Sequence, residues 1–173
     1  MIGSLILYSL MILMVVASIG RWRSFTDFIS KLGIKQTDVK KELTTAFIYL
    51  GILFLVSIVI QAIMVWLGFQ TDLEQVTKEL KEAGFVNLLI VLTVAAFAEE
   101  VFFRGYLQRK TNLLFASFVF GYFHIIYNSL SEVIGAFCLG LVLGKEYQQT
   151  KNLFAPILSH FFYNIIILFL MFT

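Results

Sequence analysis

The chain is poor in most of what a soluble enzyme is built from. Charged residues fill only 14% of its 173 positions, and it has one proline, one cysteine and two histidines. So few charges cannot coat a water-facing domain of this size. The lone thiol, Cys138, excludes an intramolecular disulfide framework and a cysteine metal cluster. A net charge of +2, with lysines and arginines in no stripe, gives no nucleic-acid surface. No aspartate follows Asp72, so the later part of the chain cannot assemble a Ser-His-Asp triad. The His-Glu-x-x-His zinc spacing is missing, and so are internal repeats and low-complexity linkers.

What the chain has in quantity is hydrocarbon. Hydrophobic residues make up 60% of it and the mean hydropathy is +0.89. The expected fold is all-α, a polytopic transmembrane helical bundle of a multi-pass integral membrane protein. About six spans can be read, at roughly 2–20, 44–69, 86–107, 113–128, 132–149 and 153–172. They divide into N-terminal helices with an amphipathic connection (1–84) and a C-terminal group of spans (85–173). The first stretch lacks a basic leader and is long for a signal-peptide core, so it is read as a retained helix.

Basic residues set the orientation. Arg21, Arg23, Lys31, Lys35, Lys40 and Lys41 follow the first span, Arg109 and Lys110 the third, and Lys145 and Lys151 the fifth. The second connection sets Lys78 and Lys81 against Asp72, Glu74, Glu79 and Glu82, and the fourth has no basic residue. The odd-numbered connections are therefore expected in the cytoplasm. In the first of them, Trp22, Phe25, Phe28, Ile29 and Leu32 share one helical face, the pattern of a helix lying on the inner membrane surface.

Against this background, AAFAEEVFFRGYLQ (95–108) stands out for the three charges inside a span. A charge near a helix centre in a bilayer costs about 2.5–3.5 kcal/mol unless it is paired or faces a polar cavity. Glu100 and Arg104, four residues apart, can pair on one face. Glu99 is turned about 100° away on an α-helix and needs a partner or a task elsewhere. His124 and His160 lie in apolar spans, with Phe120 and Asn164 one turn from them. At 1.5 Å of rise per residue, Glu99, His124 and His160 lie about 12, 17 and 10 Å from the cytoplasmic ends of their spans. Three helices thus bring a carboxylate and two imidazoles to one level.

A carboxylate beside an imidazole, away from bulk water, can hold and deprotonate a water. His160 and Asn164 share a face and can donate to an oxyanion. These residues also leave open a zinc ion held by Glu99, His124 and His160, with water as fourth ligand. Cys138 falls where Ala136, Gly140 and Gly144 recur every four residues, a helix-packing seam, and is read as structural.

The series E-E-x-x-x-R (Glu99, Glu100, Arg104), F-x-x-x-H (Phe120, His124) and H-x-x-x-N (His160, Asn164) runs in order along successive helical segments. It resembles the CPBP family, which comprises CAAX prenyl proteases of the type 2 class and bacteriocin-processing or bacteriocin-immunity proteins. The likeness covers about residues 85–173. It implies an intramembrane endopeptidase with Glu99 as catalytic base and His124 as its partner on the water. His160 and Asn164 would form the oxyanion site, with Glu100, Arg104 and Phe120 in support. The implied substrate is a protein or peptide at the cytoplasmic leaflet of the lipid bilayer, prenylated in eukaryotic members. No nucleic-acid partner is expected. The family has been described both as zinc-dependent and as metal-independent; the residues here fit the second better, so no cofactor is expected. A non-catalytic immunity or scaffold protein of the same fold is the alternative, and an unpaired Glu99 argues against it. Six spans are fewer than in some members.

Overall fold

The computed structural model describes residues 2–173, apart from the side chains of Ile2 and of residues 70–73. The elements are α1 (Ile2–Ser18), α2 (Phe25–Leu32), α3 (Val39–Trp66), α4 (Gln70–Ala83), α5 (Phe85–Glu99), α6 (Leu113–Phe123), α7 (Leu130–Thr150) and α8 (Phe154–Phe172). A π-helical segment, Glu100–Gln108, continues α5, and a 3₁₀ turn, His124–Tyr127, continues α6. No strand forms among the described residues.

Side-chain caps set many of the boundaries. The Asp38 carboxylate accepts the N–H groups of Lys40 and Lys41 at the start of α3. Ser24, Asn112 and Ser129 cap α2, α6 and α7 in the same manner. Each such cap is worth about 1 kcal/mol. At Gly33 the backbone turns to φ 113°, ending α2 in a conformation that side chains resist.

Each of the six expected spans corresponds to a helix, but they are not equivalent. Val39–Trp66, Phe85–Gln108 and Phe154–Phe172 are long and apolar enough to cross a membrane. Gly3–Ser18 and Leu113–Tyr127 are shorter apolar helices. The 11 residues of α6 rise only about 17 Å, against about 30 Å of hydrocarbon. α7 is longer but less apolar, since Glu132, Lys145 and Glu146 lie along it. By length and composition, then, three helices qualify where six were expected.

α6 packs closely on α7, α3 and α5 lie along α8, and α1 lies against α5 and the π segment. Small residues permit the α6–α7 approach. A Cβ on Gly121 would stand 2.8 Å from the Phe137 Cβ, and one on Gly140 3.0 Å from the Phe120 ring. The seam expected along α7 is thus the face that receives α6. The outward side of α3 keeps Leu55 and Ile58 exposed, as a lipid-facing helix does.

Two segments differ from their expected form. Residues 70–83, read as a polar connection, form α4, which buries Val76 and packs over α5, α7 and α8. α2 rests only partly on the membrane side. Leu32, Phe28 and Ile29 join the protein core, Trp22 packs on Phe28, and Phe25 stays exposed. An Asp27 carboxylate held low by the Arg23 backbone N–H, with help from Lys31, steadies its first turn. The loop after α2 is tied to the start of α8. The Leu153 N–H donates to the Gly33 carbonyl at 3.0 Å, and the Asn152 amide accepts from the Lys35 N–H and donates to the Lys35 carbonyl, each at 3.1 Å. That clamp sets the position from which α8 carries its histidine inward.

Candidate active site

The third span changes register where its charges begin. From Glu100 to Gln108 the backbone is π-helical, a widened turn common at functional sites. Gly105 lies in this stretch against the α2 end: a Cβ there would meet the Leu32 carbonyl oxygen at 2.8 Å. Glu99 and Glu100 both turn inward and are buried, as is Arg104. The expected pair forms, with Arg104 Nη1 3.0 Å from Glu100 Oε1. It is an ionic contact more than a directed hydrogen bond, since Nη1 has no aligned acceptor among the described residues. Nη2 of the same guanidinium donates to the Gly140 carbonyl at 3.3 Å. The guanidinium carbon stands 4.6 Å from the Phe120 ring centroid, in cation–π contact.

His160 bridges the two glutamates. Its Nδ1 lies 2.8 Å from Glu100 Oε1 and its Nε2 3.8 Å from Glu99 Oε2. Its neighbour Ser159, fully buried, donates to Glu146 Oε2 at 2.6 Å, which pins this turn of α8 to α7. Asn164, one turn further along, reaches toward the Leu92 carbonyl at 3.5 Å and keeps an amide hydrogen for other use.

His124 stands where α6 tightens into the 3₁₀ turn. Its Nδ1 is 2.9 Å from the Phe120 carbonyl oxygen. A carbonyl only accepts, so Nδ1 carries the hydrogen and neutral Nε2 is left as an acceptor. The Phe120 ring contacts both imidazoles edge-on, with centroids 4.9 Å from His124 and 6.2 Å from His160.

Two cavities meet at His124. One, of about 20 Å³, is lined by Glu99 and His124 together with Tyr8 and Tyr127. The other, of about 330 Å³, is lined by His124, His160 and Asn164, by further polar groups including Gln61, Glu132 and Tyr163, and by apolar residues of α3, α7 and α8. Glu99 and His124 therefore share a space without touching. The motif residues gather in one place. Among the described residues, however, no three His, Cys, Asp or Glu side chains converge as a metal-ligand set. The donor geometry does not fit the zinc triad of Glu99, His124 and His160.

Several members of the site were not foreseen. Tyr8 crosses from α1 and lines the small cavity with Glu99, bringing a hydroxyl to that carboxylate from a helix read only as hydrophobic. Glu146 and Ser159 anchor α8, and Gln108 donates to the Gly144 carbonyl at 2.9 Å. Ser159 could have been noticed from its place beside His160; Tyr8 offered no signal beyond one hydroxyl among aliphatics.

Comparison with known proteins covers the segment that carries these residues. Residues 81–166 match the type II CAAX prenyl endopeptidase Rce1-like family. Through that region the chain belongs to a family of membrane proteases. A 76-residue stretch is 37% identical to the uncharacterized protein YpbD of Bacillus subtilis (strain 168), covering 43% of this chain and 40% of that protein's length. No solved structure matches significantly.

Proposed function

We propose that this protein is an intramembrane endopeptidase in which Glu99 deprotonates a water held between it and His124. The observation that carries the reading is the small cavity. At about 20 Å³ it suits one water, which needs two to four polar partners. Glu99, His124, Tyr8 and Tyr127 supply them. Glu99 takes one proton, and the Nε2 lone pair of His124 accepts a hydrogen bond from the other.

The hydroxide attacks a peptide carbonyl entering from the larger cavity. His160, when protonated at Nε2, and the free amide hydrogen of Asn164 face the oxyanion that develops. The proton held by Glu99 then passes to the leaving nitrogen, and the C–N bond breaks. Glu100 and Arg104 act as positioning residues: Glu100 holds the His160 ring by Nδ1, and Arg104 holds Glu100. The misfit of the donor set to a three-ligand ion supports a metal-independent reaction.

The family supports CAAX-type processing of prenylated protein C-termini. The basic connections support a site opening toward the cytoplasmic leaflet. The test is incubation of the purified protein with matched peptides, prenylated and unprenylated, and mass spectrometry of the products. Release of a C-terminal tripeptide by wild type and not by Glu99→Ala supports the reading. Absence of cleavage across a broad peptide panel in a lipid environment counts against it and favours a non-catalytic role.

A further inference from the structure

A second cleft, away from the catalytic residues, lies where α1, α2 and the end of the π segment meet. Its volume is about 360 Å³, and its charged lining residues are Lys31, Arg109 and Lys110, with no carboxylate among them. Val15, Ile19 and Tyr106 form its apolar wall. We propose that this cleft binds the phosphate headgroup of an anionic phospholipid, with the start of an acyl chain along Val15 and Ile19.

Three features support that occupant. First, the cations come from two separate elements and are incompletely neutralised. Lys31 is 3.3 Å from Asp27 and donates to the Arg21 carbonyl, leaving one ammonium hydrogen over. Arg109 spends one N–H on the Gly105 carbonyl and pairs with no carboxylate among the described residues. The Lys110 ammonium sits 4.2 Å from the Tyr106 ring centroid, free of any acid among those residues.

Second, the mixture is that of a lipid-headgroup site, with cations beside an aliphatic wall. Third, the adjoining surface is interfacial. Trp22 is 48% and Phe25 77% exposed on the segment that leads to Lys31, and Leu13 and Met14 are exposed on α1, the helix that carries Val15. An acidic peptide would use the cations but has no need of the apolar wall.

The test is a titration of the full chain, in detergent, with short-chain phosphatidylglycerol and phosphatidylcholine, read by native mass spectrometry. Wild type should prefer phosphatidylglycerol. Basic residues near an anionic surface each contribute about fivefold, so K31Q/R109Q/K110Q should weaken that binding on the order of 100-fold. The charge-matched variant K35Q/K40Q/K41Q, altered on the same end of the bundle but outside the cleft, should bind as wild type does. If the first triple variant does not fold, Lys110→Gln alone should lower affinity about fivefold. Equal binding of the two lipids overturns the proposal, as does equal loss in both triple variants, which would mean diffuse attraction. Displacement of the lipid by equimolar inorganic phosphate or acidic peptide would likewise overturn it in favour of a soluble anion.

Discussion

The two cavities that share His124 and Tyr127 differ more than tenfold in volume, about 20 against about 330 Å³. The small one lies between α1, α5 and the 3₁₀ turn and sets a carboxylate, an imidazole and two phenols among apolar side chains. The large one holds about 330 Å³ and is walled mainly by aliphatic side chains from α3, α7 and α8. Buried water needs hydrogen-bond partners on several sides, whereas an apolar side chain or lipid needs only room. In the proposed reaction water and substrate therefore take separate approaches, which meet at His124 and Tyr127. The same contrast explains the placing of Glu99 and Glu100. Adjacent in sequence, they face different sides: Glu99 lines the small cavity, and Glu100 holds the histidine that lines the large one.

The largest expected effect breaks the water side alone. Glu99→Gln keeps the shape but removes the base. Turnover should fall about 10²–10⁴-fold, with the protein still folded and membrane-inserted. Near-normal turnover in a working assay would remove Glu99 from its assigned role.

Next comes the ion pair between the two sides. Glu100→Ala leaves the Arg104 guanidinium buried and unpaired, and Arg104→Ala does the same to Glu100. Each should lower stability by about 3–5 kcal/mol and reduce activity through the His160 ring. The double variant should lose clearly less than the sum, because neither charge then remains. Strict additivity in detergent unfolding would show that the 3.0 Å contact carries no coupling.

A smaller effect isolates the substrate side. Gly135 lines the large cavity, and a Cβ there would meet nothing within 4 Å. Gly135→Ala should therefore be accepted, with a stability gain of about 0.5–1 kcal/mol from helix preference. Gly135→Leu should occupy part of the cavity and raise KM several-fold while kcat holds, as lost substrate binding does. A fall in kcat at unchanged KM would mean that the large cavity does not receive substrate.

The parts of this site that could be read from the amino acids share one property. Glu99, Glu100, Arg104 and His160 are costly in hydrocarbon, so each demanded an account before any geometry was known. Tyr8 is cheap there, and nothing distinguishes it from a packing aromatic until Glu99 lies beside it. The π segment escaped for a different reason: an i→i+5 register has no signature in residue type, and the charges of AAFAEEVFFRGYLQ fit an α-helical spacing equally well. Hydropathy likewise overcounted the spans. An 11-residue helix such as α6, capped by Asn112 and ended by the 3₁₀ turn, has the composition of a span without its length. α4 was missed because Val76 and Leu80 make only a thin apolar stripe among charges.

The smallest expected effect is that of removing metal. Zinc would require Glu99, His124 and His160 to present three lone pairs to one point, yet these donors do not converge in that way among the described residues. His160 gives Nδ1 to Glu100, and only Nε2, 3.8 Å from Glu99, remains for a ligand. Asn164, on the same face of α8, suits an oxyanion and is a poor zinc ligand. Exhaustive dialysis against a chelator should therefore leave most of the activity, and metal analysis should find well under one ion per chain. Zinc at one ion per chain, whose loss stops cleavage and whose return restores it, would move His160 from oxyanion donor to ligand. The water would then lie on the metal, and the small cavity between Glu99 and His124 would lose its part in the reaction.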